Sequence, residues 1–349
     1  MNKYLLIYHK EDNDGVCSAA IVANQIKKMN KEDYNLTYFP ATYKLLSDLY
    51  LKGEDYLNEY FDNYTHVIMC DVSFNEYKAM IYLKNKFKQN FIWFDHHLPI
   101  IKDSFKHKFD NLNGVRDHTR STILNVYKYF YDEFDILYNN KKAPKLLWYL
   151  STFDSWTHKE NNLDFEEVMY VNTSITKTSN LSLSFWLQEI DNETLIEILC
   201  RGDELSRIYN ENYINTARAE GETMCYVKDK HNTELIESNG DLTWKIEGTD
   251  RKVCMIVTSG GSSSLMFKSL RRPENCPQED FNKYCDNGVV FKKTKDSEWT
   301  ISLYNINEED TFSCGEYLKN KYKGGGHLGA AGATISQAKF IKMLKTKEI

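Results

Sequence analysis

Phe91-Ile92-Trp93-Phe94-Asp95-His96-His97-Leu98-Pro99 decides how the rest of the chain is read. Four successive apolar residues suit a strand buried on both faces, and they run directly into an acid and two imidazoles. Pro99 is expected to stop regular structure at that point. Taken alone, the three polar residues at the strand's exit read as a turn with two unconnected imidazoles. Other stretches supply matching ligands.

The first lies upstream. Tyr4-Leu5-Leu6-Ile7-Tyr8 reads as a buried strand and ends in His9-Lys10-Glu11-Asp12-Asn13-Asp14-Gly15, after which Cys17 to about Met29 turns helical. Helix capping accounts for one carboxylate in that loop, but not for two flanking an Asn, after a His and before a Gly. A second strand is expected near Leu36 to Phe39. His66-Val67-Ile68-Met69-Cys70-Asp71 is another apolar run closing on an aspartate, with helix expected from about Asn75 to Lys88. Alternating strands and helices of this kind imply a doubly wound, mainly parallel sheet whose acid-bearing strand ends share one edge, where such sheets carry their sites.

Beyond His97 a polar loop is expected through Asp117, then a helix from about Ser121 to Phe130. Arg116, His118, Arg120, Ser121 and Thr122 precede or open it, and hydroxyls and arginines at a helix N-terminus can contact phosphate. They serve equally as solvated loop and cap. A helix starting at Ala143-Pro144 closes on Asp154-Ser155-Trp156. Residues 164 to 224 read as almost wholly helical, with Trp186 in the core. From Asp241 the chain changes to strands, with short helices near Ser263 to Leu270 and from Cys314 to Tyr322. The fold expected is α/β, with boundaries at 1–160 for a metal-binding domain, 161–226 for a helical connection and 227–349 for a smaller mixed-sheet domain. That domain ends in Lys323-Gly324-Gly325-Gly326-His327-Leu328-Gly329-Ala330-Ala331-Gly332. Three glycines can expose amides and admit a ligand to the main chain, so an anion-binding loop with His327 aimed at a phosphate is expected.

The 349 residues carry a formal net charge of −6, which argues against a large basic surface for duplex nucleic acid. Short nucleotides remain compatible, because bound metals supply local positive charge that residue counting misses. No apolar run approaches the length of a membrane span, which needs about 20 residues. The eight cysteines form no C-x-x-C pair, and no secretory segment opens the chain, so reduced thiols and a cytoplasmic location are expected.

His9, Asp12, Asp14, Asp71, His96 and Asp154 supply two imidazoles and four carboxylates. That mixture suits a borderline-hard divalent ion such as Mn²⁺, with Mg²⁺ or Co²⁺ as substitutes, rather than structural zinc. Six side chains exceed the needs of one octahedral ion that keeps a water. Two ions sharing a carboxylate satisfy them, and such a pair can ionise a water for in-line attack on phosphorus.

The set His9-x-x-Asp12-x-Asp14-Gly15, Asp71, Asp95-His96-His97 and Asp154, followed by Gly324-Gly325-Gly326-His327 with Ala330-Ala331-Gly332, resembles the DHH phosphoesterases with a C-terminal DHHA1 domain. The Asp154-Ser155-Trp156 ending and the long helical connection look like the nanoRNase B type of short-oligonucleotide hydrolases more than like RecJ. The resemblance implies one Mn²⁺ held by His9, Asp12 and Asp71 and another by Asp14, Asp71, His96 and Asp154. It implies Asp95 as the group orienting the motif and His97 as the contact to the scissile phosphate. Gly324, Gly325, Gly326 and His327, with Arg120 and Ser121, would hold substrate. Many relatives have an arginine shortly after the Ser-Leu of a C-terminal strand, where this chain has Ser302-Leu303-Tyr304. The function expected is Mn-dependent hydrolysis of short single-stranded oligonucleotides or dinucleotides to mononucleotides, by a protein that allows a homodimer and uses no membrane or duplex partner. Cyclic dinucleotides or a nucleoside bisphosphate are the alternative substrates. A RecJ-like single-strand exonuclease and a non-catalytic nucleotide sensor are weaker readings.

Overall fold

The computed structural model describes all residues except 31–32, 107–108, 110, 132–143, 202, 259–263, 274–275, 278–283, 296 and 308–309. The expected helix starts at Ala143 and Ser263 lie outside the described residues. The chain divides into two compact units, Met1–Met224 and Cys225–Ile349.

The first unit opens with β1 (Asn2–His9), α1 (Asn13–Asn30), β2 (Tyr34–Ala41), α2 (Tyr43–Tyr50), α3 (Glu54–Phe61), β3 (His66–Cys70), α4 (Tyr77–Phe87) and β4 (Phe91–Phe94). The strands form a wholly parallel sheet in the order β2-β1-β3-β4. Successive side chains alternate between its faces. Leu6, Ile68 and Phe94 pack with Val16 and Ala20 of α1, while Leu5, Ile7, Val67, Met69 and Trp93 pack on the other face with Leu46, Phe61 and Leu83. Both faces are therefore covered, which explains the unbroken apolar runs.

Next come α5 (Leu98–Lys106), α6 (Thr122–Phe130), α7 (Lys145–Ser155), α8 (Phe165–Ser179), α9 (Leu183–Trp186), a small hairpin of β5 (Glu189–Ile190) and β6 (Glu193–Thr194), α10 (Leu195–Cys200) and α11 (Glu204–Asn239), whose residues beyond Met224 belong to the second unit. Two expectations are corrected in this unit. Pro99 does not end regular structure: it is the second residue of α5, where a missing N–H costs nothing because first-turn amides have no intrahelical acceptor. Asp14 is not in a loop, because α1 begins at Asn13 and places it in the first turn.

The second unit contains β7 (Asp241–Lys245), β8 (Lys252–Val257), β9 (Asn287–Lys295), β10 (Glu298–Asn305), α12 (Cys314–Tyr322), β11 (Gly325–Gly326), β12 (Ala330–Ser336) and α13 (Gln337–Thr346). Its mixed sheet runs β11-β12-β10-β9-β8-β7, with β8 and β9 parallel and the other neighbours antiparallel. Leu318 of α12 and Phe340 and Met343 of α13 cover one face. No helix among the described residues is long and apolar enough to cross a membrane.

Candidate metal centre

The carboxyl ends of β1, β3 and β4 lie side by side and deliver His9, Asp71 and the Asp95-His96-His97 turn to one edge of the sheet. Gly15 makes the first of these possible. A Cβ there would lie 2.2 Å from the His9 carbonyl oxygen, so only glycine lets α1 start this close to β1. Asp12 accepts the Gly15 amide at 2.9 Å, and its other oxygen stands 3.5 Å from His9 Nε2.

Asp14 is buried and accepts two backbone amides from the start of α6, Thr122 at 2.8 Å and Ile123 at 2.7 Å. A helix N-terminus thus points its unpaired N–H groups at the carboxylate. Asp71 follows β3 with φ at 58°, a left-handed conformation that is uncommon for a residue bearing a Cβ. Its Oδ1 accepts the Thr122 hydroxyl at 3.0 Å, so one residue of α6 steadies two acids.

His96 Nε2 is the meeting point. Asp154 Oδ2 lies 2.9 Å away, Asp14 Oδ2 3.4 Å and Asp71 Oδ1 3.4 Å. Ligand atoms around an octahedral ion with bonds of about 2.1 Å stand about 3.0 Å apart, so this spacing suits a shared cation. The electrostatics agree. Burial, reinforced by Asp154, pushes the Asp14 carboxyl up to about 6. Burial and the neighbouring Asp14 and Asp12 hold Asp71 well above the carboxylate range. Burial alone would lower the His96 pKa, but Asp154, Asp71 and Asp14 carry it well above the ordinary imidazole value. Buried acids that ionise only at such cost form a site for a cation, which relieves their repulsion.

Residues 3–150 match the profile of the DHH family, N-terminal domain. This part of the chain is a DHH domain. No protein of curated function matches the chain. Three solved structures align over 99% of it. An uncharacterized protein from Helicobacter pylori G27 shares 14% identity over 98% of its own length, with a TM-score of 0.37. An exopolyphosphatase-related protein from Bacteroides fragilis shares 12% over 91%, with a TM-score of 0.44. A pGpG-specific phosphodiesterase from Vibrio cholerae shares 12% over 97%, with a TM-score of 0.43. The chain is a metal-dependent phosphoesterase whose DHH domain holds a divalent metal site of buried Asp and His residues.

Within the DHH turn the three residues divide the work. Asp95 is wholly buried, and its oxygens accept the His96 amide at 2.8 Å, the His97 amide at 3.0 Å, His97 Nδ1–H at 2.8 Å and Trp93 Nε1–H at 3.2 Å. Burial works to raise its pKa, yet the charge and hydrogen bonds of His97 hold it below the usual carboxylate range. An ionised carboxylate can only accept, so His97 presents Nδ1–H to it.

Several residues at this site gave no sequence signal. Tyr43 opens α2, and its ring lies 5.6 Å from that of His9 and 6.0 Å from that of His97. Burial and the acids Asp95, Asp71, Asp12 and Asp154 keep its hydroxyl protonated, well above the phenol range. Only the alternation of strand and helix could have pointed to it, since it follows the end of β2 as Asp71 follows β3. Asn125 Nδ2 donates to the carbonyls of Asp95 and Asp117, at 3.3 and 2.9 Å.

The residues considered for a phosphate contact have partners within the protein. Arg116 spends its guanidinium on the carbonyls of Trp93 at 2.9 Å, Leu112 at 2.8 Å, and Asn113 and Phe109 at 3.3 Å. Arg120 pairs with Asp117 at 2.8 Å. Ser121 is wholly buried as the residue capping α6, with its amide donated to Ser151 Oγ at 3.3 Å.

In the second unit the glycine run lies between α12 and β12. A Cβ on Gly324 would sit 2.3 Å from the Gly332 carbonyl oxygen, and one on Gly315 2.4 Å from that of Gly326. The Gly324 amide donates to Leu318 at 3.1 Å and the His327 amide to Ala330 at 2.7 Å. Gly325 and Gly326 form β11, paired antiparallel with Gly332 and Ala331 of β12, so the main chain of this run serves the domain's own sheet.

Proposed function

We propose that the chain is a manganese-dependent phosphodiesterase of the nanoRNase B type, cutting very short single-stranded oligonucleotides, dinucleotides included, to mononucleotides. The observation that carries the reading is the convergence of Asp14, Asp71 and Asp154 on His96 Nε2 within 3.4 Å, beside the His9 and Asp12 pair. One ion would be held by His9, Asp12 and Asp71 and a second by Asp14, Asp71, His96 and Asp154, with Asp71 common to both. Bound there, the two ions supply an ionised water and neutralise charge on the phosphorus. The mixed imidazole and carboxylate donors suit a borderline-hard divalent ion such as manganese, and the absence of cysteine from the set argues against structural zinc.

The protein's own groups do the rest. Asp95 holds His97 through Nδ1–H, and His97 would contact the scissile phosphate. Thr122 and the α6 amides hold Asp71 and Asp14 in place before any ion arrives. The reading includes a catalytic segment over 1–160, a helical connection over 161–226 and a DHHA1-like domain over 227–349. There Gly324, Gly325, Gly326 and the His327 imidazole would take a terminal phosphate.

Turnover with Mn²⁺ on linear dinucleotides, longer single strands, cyclic dinucleotides and 3′-phosphoadenosine 5′-phosphate tests the proposal. Dinucleotides are expected to be the best substrates. Cleavage of long strands at the same rate as dimers, or nucleotide binding without turnover, contradicts it.

A further inference from the structure

A cleft of about 690 Å³ lies against the metal centre within the first unit, lined by Tyr8, Lys10, Glu11, Pro40 and the corner from Asn180 to Ser184. It shares the β1–α1 loop with the catalytic residues: Glu11, in its wall, has a carboxylate oxygen 4.0 Å from His9 Nε2. Its volume lies in the range of small-molecule sites and is far more than a phosphate group fills.

The opposite wall is held in an uncommon shape. Asn180 and Leu181, both with φ at 50°, turn the chain between α8 and α9. Non-glycine residues in that region cost energy unless the surroundings impose it. The surroundings here include the catalytic loop. Asn13, between Asp12 and Asp14, donates to Asn172 at 3.1 Å and Thr176 at 2.7 Å, and accepts from Ser179 Oγ at 3.5 Å. Ser179 Oγ in turn accepts the Leu181 amide at 3.3 Å. One asparagine therefore ties the metal loop to the wall of the cleft.

The lining narrows the occupant. Pro40, Leu181 and Leu183 offer aliphatic surface, while Asn180, Ser182 and Ser184 offer amide and hydroxyl groups, with the two serine oxygens 2.7 Å apart. Lys10 is exposed at the rim and makes no ion pair among the described residues. A lining with one ammonium and one carboxylate does not suit a polyphosphate chain. A base and sugar against mixed walls, with a single phosphate at Lys10, suits it well.

We propose that this cleft is a nucleotide subsite, taking the nucleoside next to the scissile phosphate with Lys10 on its phosphate. The proposal rests on the phosphodiesterase reading above and names where that substrate's flanking nucleotide sits. The test uses the full chain with Mn²⁺, a linear dinucleotide and bis(4-nitrophenyl) phosphate, which has no nucleoside. The variants are Ser184→Trp, which fills the cleft from an exposed position, and Lys10→Met. For Ser184→Trp the ratio of kcat/KM on the dinucleotide to that on the aryl diester is expected to fall at least tenfold, mainly through KM. For Lys10→Met it should fall several-fold. A ratio within twofold of wild type in both variants overturns the subsite. If the wild type turns over neither diester, the phosphodiesterase reading fails, and the cleft is judged by equilibrium binding of AMP. Tenfold weaker AMP binding in Ser184→Trp then supports the subsite, and unchanged or absent binding overturns it.

Discussion

Asp71 turns into the left-handed region at φ 58° immediately after β3 and still buries its carboxylate among Thr122, His96 and Asp14. Backbone strain of that kind persists only where the surroundings over-determine it, and it concentrates at functional sites. Asp95 plays the complementary part, with its oxygens filled by four donors from its own turn and Trp93. Asp95→Asn keeps the size of the side chain but removes the charge that accepts His97 Nδ1–H. Its kcat is expected to fall about 10- to 100-fold, the range for losing a partner that orients a metal-site group. Steady-state kinetics beside a manganese titration checks this, with metal affinity changing much less than kcat.

Helix α6 shows how one element organises the site. Its first turn gives two amides to Asp14, and its Thr122 hydroxyl goes to Asp71. Thr122→Val preserves the shape and the amides but leaves Asp71 without that donor, so manganese affinity measured by calorimetry should weaken about tenfold. Equal affinity would show that the hydroxyl plays no part. At the start of α1, Gly15→Ala forces a Cβ to 2.2 Å from the His9 carbonyl oxygen. A loss of about 1–3 kcal/mol in urea unfolding is expected, the usual cost of overpacking.

These elements also mark how far the residues could be read in advance. Apolar runs that close on His9, Asp71 and Asp95 announce adjacent strand ends, because alternating buried strands and helices build a parallel sheet whose carboxyl ends share one edge. Helix starts were less legible. Asp12 and Asp14 look alike in the chain, yet Asp12 accepts the Gly15 amide at the helix start while Asp14 lies inside the first turn. Pro99 reads as a breaker until its place in a first turn is known. Tyr43 reaches the site through tertiary contacts that no local pattern encodes, Thr122 is marked as a helix-opening hydroxyl but not as the donor to Asp71, and the glycines near His327 serve backbone contacts across 315–332.

The whole DHH domain stores a cluster of buried charge between two apolar faces, and this sets how its stability responds to pH. Asp14, pushed up to about 6, and Asp71, higher than usual, keep their protons in the metal-free fold at pH values where the unfolded chain has released them. His96, held well above 6.5 by Asp154 and the other acids, does the same at higher pH. In each case the folded state binds the extra proton, so stability falls as pH rises from about 4 through 6 and beyond. Metal-free protein should therefore melt at a lower temperature at pH 8 than at pH 5.5. Added Mn²⁺ replaces those protons, so its stabilising effect should grow with pH, with proton release visible by calorimetry in buffers of different ionisation enthalpy. A metal-free melting temperature that rises over this window would contradict the charge assignment.

Asp71→Asn tests most directly the proposal that Asp71 serves two metal ions in one phosphodiester-cleaving centre, because asparagine tolerates the left-handed backbone and keeps the side chain's size. Hydrolysis of a linear dinucleotide in saturating Mn²⁺ is the measurement. The account predicts a folded variant whose turnover is lower by at least about 100-fold, since losing even a supporting partner costs up to that much. Turnover within a few-fold of wild type would contradict it.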